Sequence, residues 1–191
     1  MTEEIEIEFK NIVTKEEFQR ICDAFSITSF TEQVNHYFET PSFSLKEKGC
    51  ALRIRFKNGT YTFTLKQPAA TGLRETHQRL SEAEAKQMLE RSQIVPGSIA
   101  NRLKEMQIPA SDLQYFGSLT TKRAETPYKE GILVLDHSFY FNQNDYELEY
   151  EVKEENKKLD FFTLLAEYNI PLRPTQNKVQ RFFLAKQNEA N

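Results

Sequence analysis

The strongest constraint on this chain is a charge pattern with period two. Glu4-Ile5-Glu6-Ile7-Glu8-Phe9-Lys10 alternates charged and apolar residues without a break. Successive side chains of a β-strand point to opposite faces, so the segment reads as a strand with one charged and one apolar face. The same sorting returns in Leu52-Arg53-Ile54-Arg55-Phe56 and in Tyr146-Glu147-Leu148-Glu149-Tyr150-Glu151-Val152. Strands are predicted over residues 4–10, 51–56, 61–66, 132–136 and 146–152. A slip of one residue would exchange every side chain between faces, so the sorting fixes register. Asn58-Gly59 between two of these strands is a tight hairpin signal.

Helices are marked by their caps. The box Thr14-x-x-Glu17 predicts a helix reaching about residue 25, and Ser81-x-x-Glu84 one reaching about residue 91. Pro96-Gly97 breaks the chain before a short helix over residues 98–106. Asp160 is read as the cap of a helix over residues 161–168, and a last helix follows Pro174 to about residue 186. No internal repeat, low-complexity tract or separating linker interrupts the 191 residues, which predicts one α+β domain over 1–191.

Composition sets outer bounds. A charged fraction of 28% with net charge -3 argues against a generally nucleic-acid-binding surface, so no nucleic-acid polymer is expected as a partner. Cys22 and Cys50 lack metal-site spacing and read as reduced thiols. The start MTEEIEIEFK has neither the basic nor the apolar region of a secretory signal. No apolar run approaches the ~20 residues that span a bilayer. The expectation is a cytoplasmic protein without a membrane partner, either a monomer or a homodimer.

Two architectures satisfy the alternation. In one, apolar faces meet in a sandwich core and the charges are solvated. In the other, the sheet curls so that charges line a lumen and helices cover its apolar outside. Charge grouping bears on the choice. Acids ~5 Å apart on one strand repel by about 3 kcal/mol per pair at an effective dielectric near 20, so a lumen needs counter-charges. Arg53, Arg55, Lys66, Arg123 and Lys178 supply them. Blocks of acids facing blocks of bases point to a site for metal plus polyanion.

These residues resemble the CYTH superfamily, the triphosphate tunnel metalloenzymes. Glu6-x-Glu8-x-Lys10 matches its ExExK signature. Gln33-Val-Asn-His-Tyr37-Phe38-Glu-Thr40-Pro41 resembles the family's second strand and turn, and Ala51-Leu52-Arg53-Ile54-Arg55 its LRIR strand. Thr64-Leu65-Lys66, Thr121-Lys122-Arg123, Leu135-Asp136, Glu147-Leu-Glu149-Tyr-Glu151 and Lys178 follow in the family's order. The resemblance covers about residues 3–183. It implies an eight-stranded antiparallel β-barrel forming a tunnel with a charged lumen and helices packed outside.

The chemistry follows from residue type. Arg53, Arg55, Lys66 and Arg123 suit non-bridging phosphate oxygens, arginine through its planar fork and lysine as a point charge. Glu6, Glu8, Glu147 and Glu149 offer oxygen ligands for a hard divalent ion, Mg2+ or Mn2+. By analogy with the family, Asp136 helps hold a metal, while Lys10, Glu75 and Lys178 take catalytic roles. Adjacent residues face opposite ways, so only Arg74 or Glu75 points inward, and Glu75 is favoured. The implied activity is metal-dependent hydrolysis of a small-molecule triphosphate: inorganic triphosphate, a nucleoside triphosphate or thiamine triphosphate. An adenylyl cyclase making cyclic AMP, or a non-catalytic polyphosphate- or nucleotide-binding module, are the alternatives. The aromatic residues, at strand or helix spacing, read as core.

Overall fold

The computed structural model describes residues 2–189. Its strands are β1 (Thr2–Val13), β2 (Thr31–Glu39), β3 (Ala51–Lys57), β4 (Thr60–Pro68), β5 (Leu73–Leu80), β6 (Gln114–Tyr128), β7 (Gly131–Tyr140) and β8 (Gln143–Val152). Its helices are α1 (Lys15–Ala24), α2 (Ser44–Glu47), α3 (Glu82–Arg91), α4 (Ser98–Glu105), α5 (Lys158–Glu167) and α6 (Lys178–Glu189). The strands run in the order β1-β5-β4-β3-β2-β6-β7-β8, and the antiparallel sheet closes into a barrel. Closure leaves no sheet edge unpaired. Tunnel architecture therefore prevails over the sandwich.

The chain condenses into two compact units. One holds Gln33–Leu119 with the first residues up to Ile5, and the other Glu6–Glu32 with the chain from Thr120 onward. In the first unit β2, β3, β4 and β5 pair antiparallel in sequence order. Asn58 and Gly59 join β3 to β4 with φ of 50° and 73°. Two consecutive positive φ angles match the right-handed twist of the flanking strands, which is why Asn-Gly serves here. Leu52, Ile54, Phe63 and Leu65 are buried against Ala85 and Met88 of α3 and Ile99 and Leu103 of α4. α3 opens on the expected box, with Ser81 Oγ accepting from Glu84 N at 3.3 Å and Glu84 Oε2 accepting from Ser81 N at 2.8 Å.

The second unit repeats the plan. β8 pairs with β1 on one side and β7 on the other, and β7 pairs with β6. Leu133, Leu135, Leu148 and Tyr150 pack with Phe18 and Ile21 of α1 and Phe161, Leu164 and Leu165 of α5. Glu17 closes the α1 capping box and also accepts from both terminal nitrogens of Arg173, each at 2.8 Å. Fully buried Asn11 donates to the Pro171 carbonyl at 3.1 Å and accepts from Arg173 N at 2.7 Å. Thr175 Oγ1 accepts from Ile12 N at 2.9 Å. These bonds tie residues 171–175 to β1 and fix where α6 starts.

Two helix boundaries differ from expectation. α5 starts at Lys158 with Lys157 as its cap, so Asp160 lies inside the first turn and pairs with Lys129 at 2.7 Å. An acid favours the first turn through the helix dipole as well as the cap position, so it marks a helix start only to within a few residues. The last helix begins at Lys178 because the preceding segment is held extended on β1. β2, β5 and β6 carry no clean alternation of charged and apolar residues, and the periodicity reading did not single them out. Among the described residues no helix is long and apolar enough to cross a membrane. Both cysteines are free and buried.

Leu148 is 0% exposed whereas Leu159 is 73% exposed. Leu148→Ala is expected to cost about 2–5 kcal/mol, and Leu159→Ala less than about 0.5 kcal/mol, in urea unfolding monitored by circular dichroism.

Candidate active site

Register places the charged residues of the second unit on one face. Lys10 lies opposite Glu149 and Glu8 opposite Glu151 across β1 and β8. Asp136 of β7 lies opposite Glu147, and Arg123 of β6 opposite Asp136. α6 brings Lys178 and Arg181 to the same acids. Spaced three residues apart, they occupy one side of its first turn.

The contacts are close. Arg123 donates Nε to Asp136 Oδ1 at 2.8 Å and Nη2 to Asp136 Oδ2 at 2.6 Å, with a further bond to Glu149 Oε2 at 2.7 Å. Lys178 Nζ pairs with Asp136, with Glu147 Oε1 at 3.0 Å and with Glu149 Oε1 at 3.1 Å. Arg181 donates Nη1 to Glu147 Oε2 at 2.6 Å and Nε to Asp145 Oδ2 at 3.0 Å. Tyr140 Oη donates to Asp145 at 2.6 Å. Lys10 pairs with Glu8 on its own strand.

Asp136 and Glu147 are 0% exposed and Glu149 is 5% exposed, with ligand oxygens of all three within 4.8 Å of one another. Burial alone raises a carboxyl pKa, so each acid's state depends on its neighbours. Burial opposes the charge of Glu149, yet Lys178 and Arg123 outweigh it and hold the group well below the usual carboxylate range. The same two cations hold Asp136 low. For Glu147, burial and the adjacent Glu149 prevail over Lys178 and Arg181 and push it up to about 7. Glu151 is raised too, by burial and by Glu149 against the pull of Arg123. Glu147 is thus the acid of the three that most readily takes up a proton, while Asp136 and Glu149 stay charged against the cations. All acidic donors of the cluster are carboxylate oxygens, a set that fits a hard divalent cation.

The first unit is base-rich. Arg53, Arg55, Lys66, Glu75 and His77 share the face opposite the apolar core, since Arg53 pairs in register with Thr64, Thr64 with His77, and Lys66 with Glu75. Glu75 is 3% exposed, pairs with Lys66, and lies 4.0 Å from Arg53 Nη2. Its neighbour Arg74 is exposed, so Glu75 is the one on the charged face. Arg55 Nε donates to Asn35 Oδ1 at 2.9 Å. Glu39, in the second-strand motif, serves the start of α2, accepting from Thr40 N at 2.8 Å, Leu45 N at 3.0 Å and Lys46 N at 2.9 Å.

Of the residues expected from sequence, Asp136, Glu147, Glu149, Arg123 and Lys178 converge in one cluster. Glu6 and Glu8 occupy the same face of β1, outside the group whose oxygens meet. Arg53, Lys66 and Glu75 gather in the other unit. Sequence reasoning missed Arg181 and Asp145. Their signal was present: Arg181 is in helical phase with Lys178, and Asp145 continues the Glu147/Glu149 alternation.

Known proteins can be compared with this geometry. A family model described as CYTH domain matches residues 4–183. The chain is 49% identical over 189 residues to the Bacillus subtilis (strain 168) protein named "Putative triphosphatase YjbK", covering 97% of this chain and 98% of that protein. The crystal structure of a Bacillus halodurans protein called "a putative adenylate cyclase" is 47% identical, with TM-score 0.92, covering 96% of this chain and 100% of that one. A structure of HpAC1 from Hippeastrum shares the fold at 24% identity and TM-score 0.80, covering 95% of this chain and 96% of that one.

The raised Glu147 carries a stability signature. Between about pH 4.5 and 7 the folded chain holds a proton there that the unfolded chain has released. Without added divalent cation, stability from this group therefore falls as pH rises through that window. The low-lying Asp136 and Glu149 act in the opposite sense, contributing stability that is lost as pH falls through their folded values. Glu147→Gln is expected to flatten the fall, read as thermal midpoint against pH; an unchanged profile contradicts the assignment.

Proposed function

This chain belongs to the CYTH domain family, and we propose that it hydrolyses a triphosphate with the aid of a divalent metal ion. The observation that carries this reading is the convergence of buried Asp136, Glu147 and Glu149. Their all-oxygen donor set favours Mg2+ or Mn2+ over softer ions. Glu6 and Glu8, on the same face of the neighbouring strand, add acid to that set. When bound, such an ion supplies charge neutralisation at the phosphates and acidifies a water.

The rest is assigned to this chain's own side chains. Arg53, Arg55 and Lys66 hold non-bridging phosphate oxygens on a face where base exceeds acid. Arg123 keeps Asp136 oriented through its two-pronged contact and offers its remaining donor capacity to phosphate. Lys178, whose ammonium is held charged by the acids around it despite burial, carries positive charge into the acid cluster on α6. Lys10 orients Glu8. Glu75, a buried carboxylate beside Lys66, orients the attacking water and accepts its proton. A family match running across both compact units supports treating the chain as one functional domain.

The name of the B. subtilis relative supports hydrolysis, while that of the B. halodurans protein favours a second reading, cyclisation of ATP. Both reactions use metal and triphosphate, and they differ in nucleophile: water, or the ribose 3′-hydroxyl at the α-phosphate. Tripolyphosphate, ATP, GTP and thiamine triphosphate offered with Mg2+ or Mn2+, and followed by phosphorus NMR, separate them. Orthophosphate released from the terminal position is expected. Pyrophosphate appearing with cyclic AMP selects the cyclase, and tight binding without turnover selects a non-catalytic module. Glu149→Gln is expected to lower turnover by about a hundred-fold or more; undiminished release contradicts the metal assignment.

A further inference from the structure

Arg181 lies outside the roles assigned so far, yet its guanidinium makes four hydrogen bonds beside the acid cluster. It stands on α6, three residues after Lys178. Nε and Nη2 donate to the two oxygens of Asp145 at 3.0 and 3.3 Å. Nη1 donates to Glu147 Oε2 at 2.6 Å and to the Gln176 carbonyl at 2.5 Å. Asp145 precedes Glu147 by two residues on β8, on the same face. It also accepts from the hydroxyl of buried Tyr140 on β7 at 2.6 Å.

We propose that Arg181 is a positioning residue for Glu147, holding Oε2 so that Oε1 is presented with Asp136 and Glu149 to a divalent cation. The inference rests on the metal-site reading above. Lys178 Nζ meets Asp136 Oδ2, Glu147 Oε1 and Glu149 Oε1, so these oxygens face a common point. The other partners of Glu147, Lys178 and the adjoining Glu149, belong to the group that a cation at that point disturbs. Arg181 is anchored elsewhere, on Asp145 and the Gln176 carbonyl, and takes the oxygen that Lys178 does not. A glutamate's last torsion is broad and roughly two-fold, so the carboxylate plane needs such a partner to stay set. A planar guanidinium sets it better than an ammonium, which is a point charge on a flexible stem. Partners behind metal ligands act in this way, by orienting the ligand.

Charge and position predict opposite signs here. Removing a nearby positive charge by itself strengthens attraction for a cation, whereas releasing a positioned ligand weakens it. The test is Mn2+ affinity, without substrate, by isothermal titration calorimetry on wild type, Arg181→Gln, Arg181→Lys, Glu147→Gln and the Glu147→Gln/Arg181→Gln double variant. Thermal midpoints and far-ultraviolet circular dichroism are recorded for each without metal. Arg181→Gln is expected to weaken Mn2+ binding about ten-fold. Arg181→Lys, which keeps the charge and loses the planar fork, weakens it by less. The double variant binds no more weakly than Glu147→Gln, since both changes disable one ligand. If Arg181→Gln does not fold, Arg181→Lys decides. An Arg181→Gln that binds Mn2+ as tightly as wild type or more tightly overturns the proposal, even if its thermal midpoint falls. An Arg181→Lys that matches wild type, or losses that multiply in the double variant, overturns it too. If wild type itself binds no Mn2+, or Glu147→Gln binds it undiminished, the metal assignment fails and the role of Arg181 with it.

Discussion

Three carboxylates on adjacent strands are buried together, and the ammonium of Lys178 reaches all of them. Isolated buried charges are expensive, and removing one partner of such a set typically costs 3–5 kcal/mol. Arg123, Lys178 and Arg181 are therefore part of what lets this unit fold with its acids inside. The compensation is incomplete. Glu147 stays raised because burial and Glu149 outweigh its cations. A divalent cation on the same oxygens would favour the charged form of Glu147, which ties the folding requirement to the proposed chemistry.

The rest of each unit serves to build its own charged face. Each unit covers the apolar side of its strands with helices, α3 and α4 in one and α1 and α5 in the other. Strand alternation leaves the other side to charge. Position along the chain is then set by local devices. The Asn58-Gly59 turn registers Arg53 and Arg55 against β4. The bonds of Asn11 and Thr175 fix the approach to α6, which sets where Lys178 and Arg181 arrive. These devices lie outside the charged faces, yet the geometry of each unit's face depends on its own.

Much of this was legible in the sequence because strand alternation is a local property. Glu147, Glu149, Arg53, Arg55 and Lys10 fall on the charged face by phase alone, whereas phase says only that one of Arg74 and Glu75 turns inward and the resemblance favours Glu75. Closure into a barrel was not legible from phase, since a sandwich sorts side chains equally well; it entered through resemblance. Strands β2, β5 and β6 escaped the pattern because polar residues occupy both faces of β5 and Gly117 and Pro127 interrupt β6. Asp160 was placed as a cap because acids favour both the cap and the first turn. Arg181 was missed because its partners Glu147 and Asp145 lie more than thirty residues away in sequence. The Thr64–His77 contact is likewise a product of register between two strands, invisible until their pairing is known.

The central claim is that Asp136, Glu147 and Glu149 form a divalent-cation site. Titrating Mn2+ into the protein while following the free-ion signal by electron paramagnetic resonance tests it without any need for turnover. The account predicts that wild type depletes free Mn2+, that added Mg2+ restores the signal, and that Glu149→Gln or Asp136→Asn abolishes depletion while the fold persists. Depletion as strong in both variants as in wild type would contradict it.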